Sequence, residues 1–381
     1  MRSTHTERAR AVAEAVREAA ADMVAPGVTW ATASGDKESR QVTVQAEGVA
    51  VDAMIRISSV TKLIGSAATL ALVDDGVLAL DDPVERWIPQ WADRRVLAER
   101  HGELHDTVPA SRPTTLRDLL TMSFGLGWDL SAPDDDPLTL ATVAAELTST
   151  WVMPSIGPSA WAHQAAALPM AHQPGEGFVY QLSFDALTVI VEVATKQPFD
   201  AVIRERILAP LGMHDTGYTV TDEQLPRVLA NYFPDADGFT QVTPDADPTL
   251  LERPVFCSAS TGLVSTASDL IRFGQMLLDR GIGPDGRVIS QEAVRLMSTD
   301  VLSAPARAMA EGFLDPGVGW GLGAGVDHDG RFGWDGGTGT SLWIDPSADV
   351  AAVILTRQGM GSPEAAECIT RFWQAVRAEP W

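Results

Sequence analysis

The strand-forming segments of this 381-residue chain sit at its two ends and the helix-forming segments lie between them. Val28-Thr29-Trp30-Ala31-Thr32 and Val42-Thr43-Val44-Gln45-Ala46 are β-branched runs on either side of the polar Gly35-Asp36-Lys37, the pattern of a hairpin. Ser341-Leu342-Trp343-Ile344 and residues 350–356 repeat it around Asp345-Pro346-Ser347. Each hairpin has a helix at its outer end. Residues 6–23 carry Ala9, Val12, Ala13, Val16, Ala19 and Ala20 at helical spacing before Pro26-Gly27, and residues 363–376 read as a closing helix. The middle supplies helices over 59–74, 116–122, 138–147, 184–195, 199–208 and 267–278, joined by Pro/Gly/Asp-rich loops. Because strands and helices segregate rather than alternate, the expectation is an α+β fold. It has an antiparallel sheet built from both termini, with helices against it. One lobe comprises 1–57 and 254–381, and a mostly helical lobe, 58–253, is inserted into it.

Composition supports such a body and removes several functions. At 45% hydrophobic and 21% charged the chain is globular and long enough for a large core. Its net charge of −23 would repel a polyanion, so nucleic acid is excluded as a partner. Cys257 and Cys368 share no spacing with each other or with His, so neither a zinc site nor a disulfide framework is expected. The longest apolar run, 63–73, ends at Asp74-Asp75, short of the ~18 to 20 residues a membrane span needs. Residues 1–23 lack the apolar core of a secretory signal, which points to the cytoplasm.

The chemistry gathers at three places. Ile57-Ser58-Ser59-Val60-Thr61-Lys62 heads the apolar run 63–73, and a helix that is apolar all round is buried. Ser59 and Lys62 stand at i and i+3, so the amine can reach the hydroxyl. Burial lowers a lysine's pKa from ~10.4 and makes it a proton acceptor. The same residues also suit a capping serine and a lysine that snorkels to water. The chain has just three lysines, Lys37, Lys62 and Lys196, and an arginine could not serve as a base. Second, Tyr180, one of three tyrosines, lies in the loop that opens with Pro174-Gly175. A phenol near an amine shuttles protons, although a tyrosine can equally pack its ring under a loop. Third, Phe332-Gly333-Trp334-Asp335-Gly336-Gly337-Thr338-Gly339-Thr340 is a glycine-rich turn. It reads either as a plain hairpin or as a backbone that closely approaches a ligand.

Taken in order, Ser59-Val60-Thr61-Lys62, Tyr180 and Trp334-Asp335-Gly336-Gly337 resemble the three motifs of the serine β-lactamase and penicillin-binding superfamily. The resemblance covers nearly the whole chain, with Thr115 to Met122, Ile207 to Tyr218 and Gly262 to Leu270 similar to blocks of its class C-like members. Two departures place it nearer the family VIII carboxylesterases and related acyltransferases. Trp334 stands where the superfamily has a basic residue for the substrate carboxylate, and Leu182 stands where its second motif ends in Asn.

The resemblance implies acyl transfer on Ser59, with Lys62 and Tyr180 moving its proton and the N–H groups of Ser59 and Gly337 holding the oxyanion. Which of Lys62 and Tyr180 is the base stays open, since a close amine and phenol titrate as a pair. Trp334, Asp335, Gly336 and Trp128 would contact a small uncharged ester, with no cofactor and no metal. Ester hydrolysis leads; an acyltransferase, a weak β-lactamase or peptidase, and a non-catalytic binding module remain. No G-x-S-x-G occurs, which argues against an α/β-hydrolase elbow. His101 and His105 read as loop residues, Asp134-Asp135-Asp136 as a solvated loop, and Gly319 to Gly325 as a strand lining the cleft rather than a nucleotide loop.

Overall fold

In the computed structural model the described residues are 5–147, 153–235, 238–361 and 363–378. The two ends of the chain meet in one sheet. Helix α1 (His5–Ala20) is followed by β1 (Val28–Ser34) and β2 (Gln41–Glu47). After the helical middle come β3 (Gly319–Trp320), β4 (Gly325–Val326), β5 (Phe332–Gly336), β6 (Thr340–Asp345), β7 (Val350–Thr356) and the last helix, Pro363–Arg377. The strand order is β3-β4-β5-β6-β7-β1-β2, antiparallel throughout, and β1 runs beside β7 from Val28 opposite Thr356 to Ser34 opposite Val350.

Period-2 alternation explains why β1 and β7 are buried along their whole length. Val28, Trp30, Val350, Ala352 and Ile354 face the cluster that holds Val12, Val16 and Phe372 of the two terminal helices. Ala31, Ala33, Ala351, Val353 and Leu355 face the main core. That second face is covered by the helix Ala267–Leu278, which starts on its Thr266 cap. It lies close because a Cβ on Gly274 would come within 3.2 Å of Ala351 Cβ.

Helix α2 (Thr61–Asp74) runs through the main core and is buried from Thr61 to Leu72. Gly65 allows its close approach to Ala259, whose carbonyl oxygen would lie 3.0 Å from an added Cβ. Helix α3 (Leu182–Thr195) packs beside it and ends on Lys196 in a left-handed conformation. The expected helix over 199–208 is instead Phe199–Ile203, a wider π-type turn over Arg204–Leu208, and Ala209–Leu211. Pro210 has no N–H to give and crowds the carbonyl four residues back. Pro158–Ala166, Gln291–Met297 and Ala304–Ala310 are additional short helices. Among the described residues no helix is long and apolar enough to cross a membrane.

Candidate active site

Ser59 lies in the 3-10 turn Ser58–Val60 that leads into α2. Ser58 is held at φ 45°, a left-handed conformation that favours glycine and costs a serine about 1 to 3 kcal/mol. One turn on, Lys62 is fully buried. Its Nζ lies 3.0 Å from Ser59 Oγ, 2.6 Å from Gln181 Oε1 and 2.8 Å from the Ser260 carbonyl oxygen. Burial holds the Lys62 amine well below the usual 10.5, with the charge of Asp185 pulling the other way.

Tyr180 enters from the loop before α3. Its backbone pairs with Trp128, through N–H to carbonyl bonds of 2.8 Å and 3.0 Å. Gly127 makes that approach possible, since a Cβ there would lie 2.2 Å from the Tyr180 oxygen. The Tyr180 hydroxyl accepts a 2.6 Å hydrogen bond from the Trp334 indole N–H, and the Ser59 side chain is near enough to pull its pKa down. Burial keeps the phenol protonated, well above its ordinary range, against the pull of Ser59 and Trp334. The Lys62 amine also sits 4.5 Å from the centre of the Tyr180 ring.

Behind Lys62 runs a polar chain that sequence reasoning missed. Gln181 donates from Nε2 to Ser260 Oγ at 3.0 Å, and the Ser260 hydroxyl donates to Asp185 Oδ1 at 3.0 Å. Ser258 reaches the same oxygen at 2.5 Å. Gln181 can point back at Lys62 because its own backbone is folded sharply, with φ 87° and ψ −69°. The Leu182 N–H returns to the Tyr180 carbonyl at 3.3 Å, closing a γ-turn of the strained hand.

In front of Ser59 opens a cleft of about 370 Å³ lined by Ser59, Trp128, Tyr180, Trp334, Asp335 and Gly337, together with Phe313 and Trp343. The Trp128 and Tyr180 rings are 6.2 Å apart, and Phe313 stands 4.5 Å from Tyr180. The predicted residues thus converge, with one exception. Gly336 is buried beneath the cleft, where a Cβ would strike the Ile57 carbonyl at 2.4 Å; it serves close packing. The 319–325 segment backs the cleft wall and does not line it. Trp320 is fully buried and meets Trp334 edge-on at 4.6 Å, and a Cβ on Gly323 would collide with Ser66 of α2.

A family model described as Beta-lactamase matches residues 10–376. The chain belongs to the beta-lactamase family. Protein Rv1367c of Mycobacterium tuberculosis is 36% identical over 322 residues, 80% of this chain and 77% of that protein. Esterase EstB of Burkholderia gladioli is 28% identical over 351 residues, 82% of this chain and 80% of its own length. The solved structure of EstCE1, described as a hydrolase with promiscuous acyltransferase activity, superimposes with a TM-score of 0.79 over 97% of this chain and 98% of that one, at 22% identity. This last likeness is one of fold.

In this beta-lactamase family member the two departures from the expected motifs meet at the site. Leu182 supplies no polar atom, and the preceding residue, Gln181, turns its amide onto Lys62. Trp334, in the place expected of a basic residue, offers its N–H to Tyr180. The signal for Gln181 was its position beside Tyr180; Ser258, Ser260 and Asp185 gave none.

Proposed function

We propose that this chain is a serine hydrolase of small carboxylic esters, of the kind grouped as family VIII carboxylesterases, working through an acyl-enzyme on Ser59. The observation that carries the proposal is the convergence on Ser59 of a buried amine 3.0 Å from its Oγ and a phenol whose oxygen accepts an indole N–H at 2.6 Å. An indole N–H only donates, so the Tyr180 oxygen is the acceptor in its 2.6 Å bond to Trp334 and the phenol proton is left to point at Ser59. When burial leaves the amine neutral, Ser59 donates its own proton to Lys62. A neutral Lys62 has two N–H groups, which the Gln181 and Ser260 oxygens take at 2.6 and 2.8 Å, and its lone pair faces the hydroxyl 3.0 Å away.

On this reading Lys62 is the base and Tyr180 the proton donor. Ser59 Oγ attacks the ester carbonyl as its proton passes to Lys62, and the N–H groups of Ser59 and Gly337 hold the oxyanion. The carbon–oxygen bond of the leaving group breaks, and the proton held by Lys62 returns through Tyr180 to the departing alkoxide. Water then attacks the acyl-enzyme and gives up its proton by the same route, releasing the acid and restoring Ser59. Similarity to EstB supports an ester as the substrate class, and the cleft has no need of a cofactor for this chemistry.

An alcohol can replace water in the last step, and the aromatic lining of the cleft favours that outcome by restricting water. The test is the time course of p-nitrophenol release from p-nitrophenyl butyrate by the intact protein and by Ser59→Ala. Sustained release that Ser59→Ala abolishes is the expected result. A stoichiometric burst that resumes when an alcohol is added identifies an acyltransferase, and equal inertness of both proteins overturns the proposal.

A further inference from the structure

The aromatic cleft carries charge of one sign. Asp315 and Asp335 line it, and no Lys or Arg does among the described residues. Asp335 is fixed on β5 by two hydrogen bonds to the same oxygen. Oδ1 accepts from Ser341 Oγ at 2.5 Å and from Trp343 Nε1 at 2.9 Å, and the residue lines the cleft. Asp315 is exposed at the rim and close enough for its charge to raise the pKa of Asp335, on top of the larger effect of burial. Lys62 lies beneath the cleft floor, with Nζ 3.0 Å from Ser59 Oγ and bonded to the Gln181 and Ser260 oxygens, and its burial favours the neutral amine. Arg331 lies beyond Trp343 in an adjoining hollow, outside the cleft itself, where it pairs with Asp327.

Burial and the charge of Asp315 both disfavour the Asp335 carboxylate, and a cation entering the cavity would favour it. The walls decide which kind. A metal ion needs several oxygens around it, whereas here the carboxylates are set among Trp128, Phe313, Trp334 and Trp343. Indole and phenyl faces attract the diffuse charge of an alkylated ammonium and shelter its methyl groups. We infer that the cleft selects esters bearing an organic ammonium group, held between the Asp315 and Asp335 carboxylates and the tryptophan rings. This selectivity rests on the ester-hydrolase reading of Ser59 for its turnover and on the cleft alone for its binding. The chain's net charge of −23 adds long-range attraction for such a substrate.

The experiment compares three butyrate esters of matched size: the choline ester, its neutral 3,3-dimethylbutyl isostere, and an ester ending in a carboxylate. The choline ester is expected to exceed the neutral one in kcat/KM by about tenfold, with the anionic ester slowest. Asp315→Asn and Asp335→Asn should each bring the cation-to-neutral ratio down; the Asp315 variant, exposed at the rim, keeps the test sound if the buried one folds poorly. In parallel, Ser59→Ala protein is titrated with choline and with 3,3-dimethylbutanol while tryptophan fluorescence is followed. A saturable response to choline that is weaker for the alcohol supports the site even where no ester is turned over, in which case the hydrolase reading alone fails. Turnover with a cation-to-neutral ratio at or below one overturns the cation site and leaves the hydrolase standing. No saturable choline response overturns the cation site as well.

Discussion

The two sides of Ser59 are built from opposite materials. Behind it, Lys62, Gln181, Ser260 and Asp185 form a buried chain of polar groups in which the partners are held at 2.6 to 3.0 Å. In front of it, aromatic rings and two carboxylates enclose the space a substrate would fill. Buried polar groups are costly unless each is satisfied, so the rear network has little freedom to vary in geometry. The front wall makes fewer directional demands and can change its chemistry without unmaking the nucleophile. Trp334 and Tyr180 are the hinge between the two, because one indole N–H at 2.6 Å ties the wall to the proton chain.

The largest effect is expected from Lys62→Met, which removes the proposed base but keeps an unbranched side chain. Loss of general-base catalysis should cost about 10² to 10⁴ in kcat/KM for p-nitrophenyl butyrate. Stability carries a separate signature in its pH dependence. The Lys62 pKa in the folded protein lies well below the 10.5 of an ordinary lysine, so the folded state binds fewer protons than the unfolded chain between those two values. Lys62 therefore costs stability at neutral pH, a cost that shrinks as pH rises through that window and vanishes above the unfolded value. The melting temperature of the variant relative to the parent is expected to fall between pH 7 and pH 11, on top of a pH-independent cost for the Gln181 and Ser260 oxygens left without the amine. In the parent, kcat/KM should rise along a limb centred below 10.5 and show no fall near pH 10, because burial raises the Tyr180 phenol above its usual value. A rate limb at the ordinary lysine value would remove Lys62 from the role of base.

Much of the front and of the fold was legible in the sequence, and most of the rear was not. The terminal hairpins announced themselves by β-branched alternation, and Ser59 and Lys62 by their spacing at the head of an apolar run. Ser260 and Asp185 carry no such mark, and Gln181 has only its place beside Tyr180. Lys62 meets Gln181 across 119 residues and Gln181 meets Ser260 across 79, and a polar residue bound for the interior looks the same in sequence as one on the surface. The γ-turn that aims Gln181 also runs against expectation, since a residue other than glycine rarely takes φ 87°. The short helices Gln291–Met297 and Ala304–Ala310 span two turns each, too few for an apolar period to stand out.

A smaller effect is expected from Gln181→Met, which separates the positioning of Lys62 from its chemistry. The change removes the acceptor at 2.6 Å and leaves a lysine N–H buried without its partner. An unmatched buried donor costs about 1 to 3 kcal/mol. The expected loss in kcat is about tenfold to a hundredfold on that scale. Because the amide oxygen favours the ammonium form, its removal should also carry the rising limb of the pH profile to lower pH. Steady-state kinetics across pH provide both readouts. A loss of rate with no movement of the limb would reduce Gln181 to a packing residue, and rescue by Gln181→Glu is not expected, since a carboxylate would raise the Lys62 pKa and hold the amine protonated.

The smallest effect, and the one that tests the tie between the two sides, belongs to Trp334→Phe. Phenylalanine keeps an aromatic face against Phe313 and Trp320 and deletes the N–H that Tyr180 accepts. A hydrogen bond of this kind contributes about 0.5 to 1.5 kcal/mol, so a drop of about threefold to tenfold in kcat for p-nitrophenyl butyrate is expected, with KM nearly unchanged. Freed from its donor, the Tyr180 hydroxyl can turn its proton elsewhere, and the loss should appear in kcat because the orientation matters when the proton moves. Trp334→Lys probes the same position from the cleft side. An ammonium there would offset the charges of Asp315 and Asp335 and provide a partner for a carboxylate, moving preference from esters towards β-lactams. If Trp334→Phe changes only KM, and Trp334→Lys leaves the ester to β-lactam preference where it was, then Trp334 belongs to the wall alone and the two sides of Ser59 are independent.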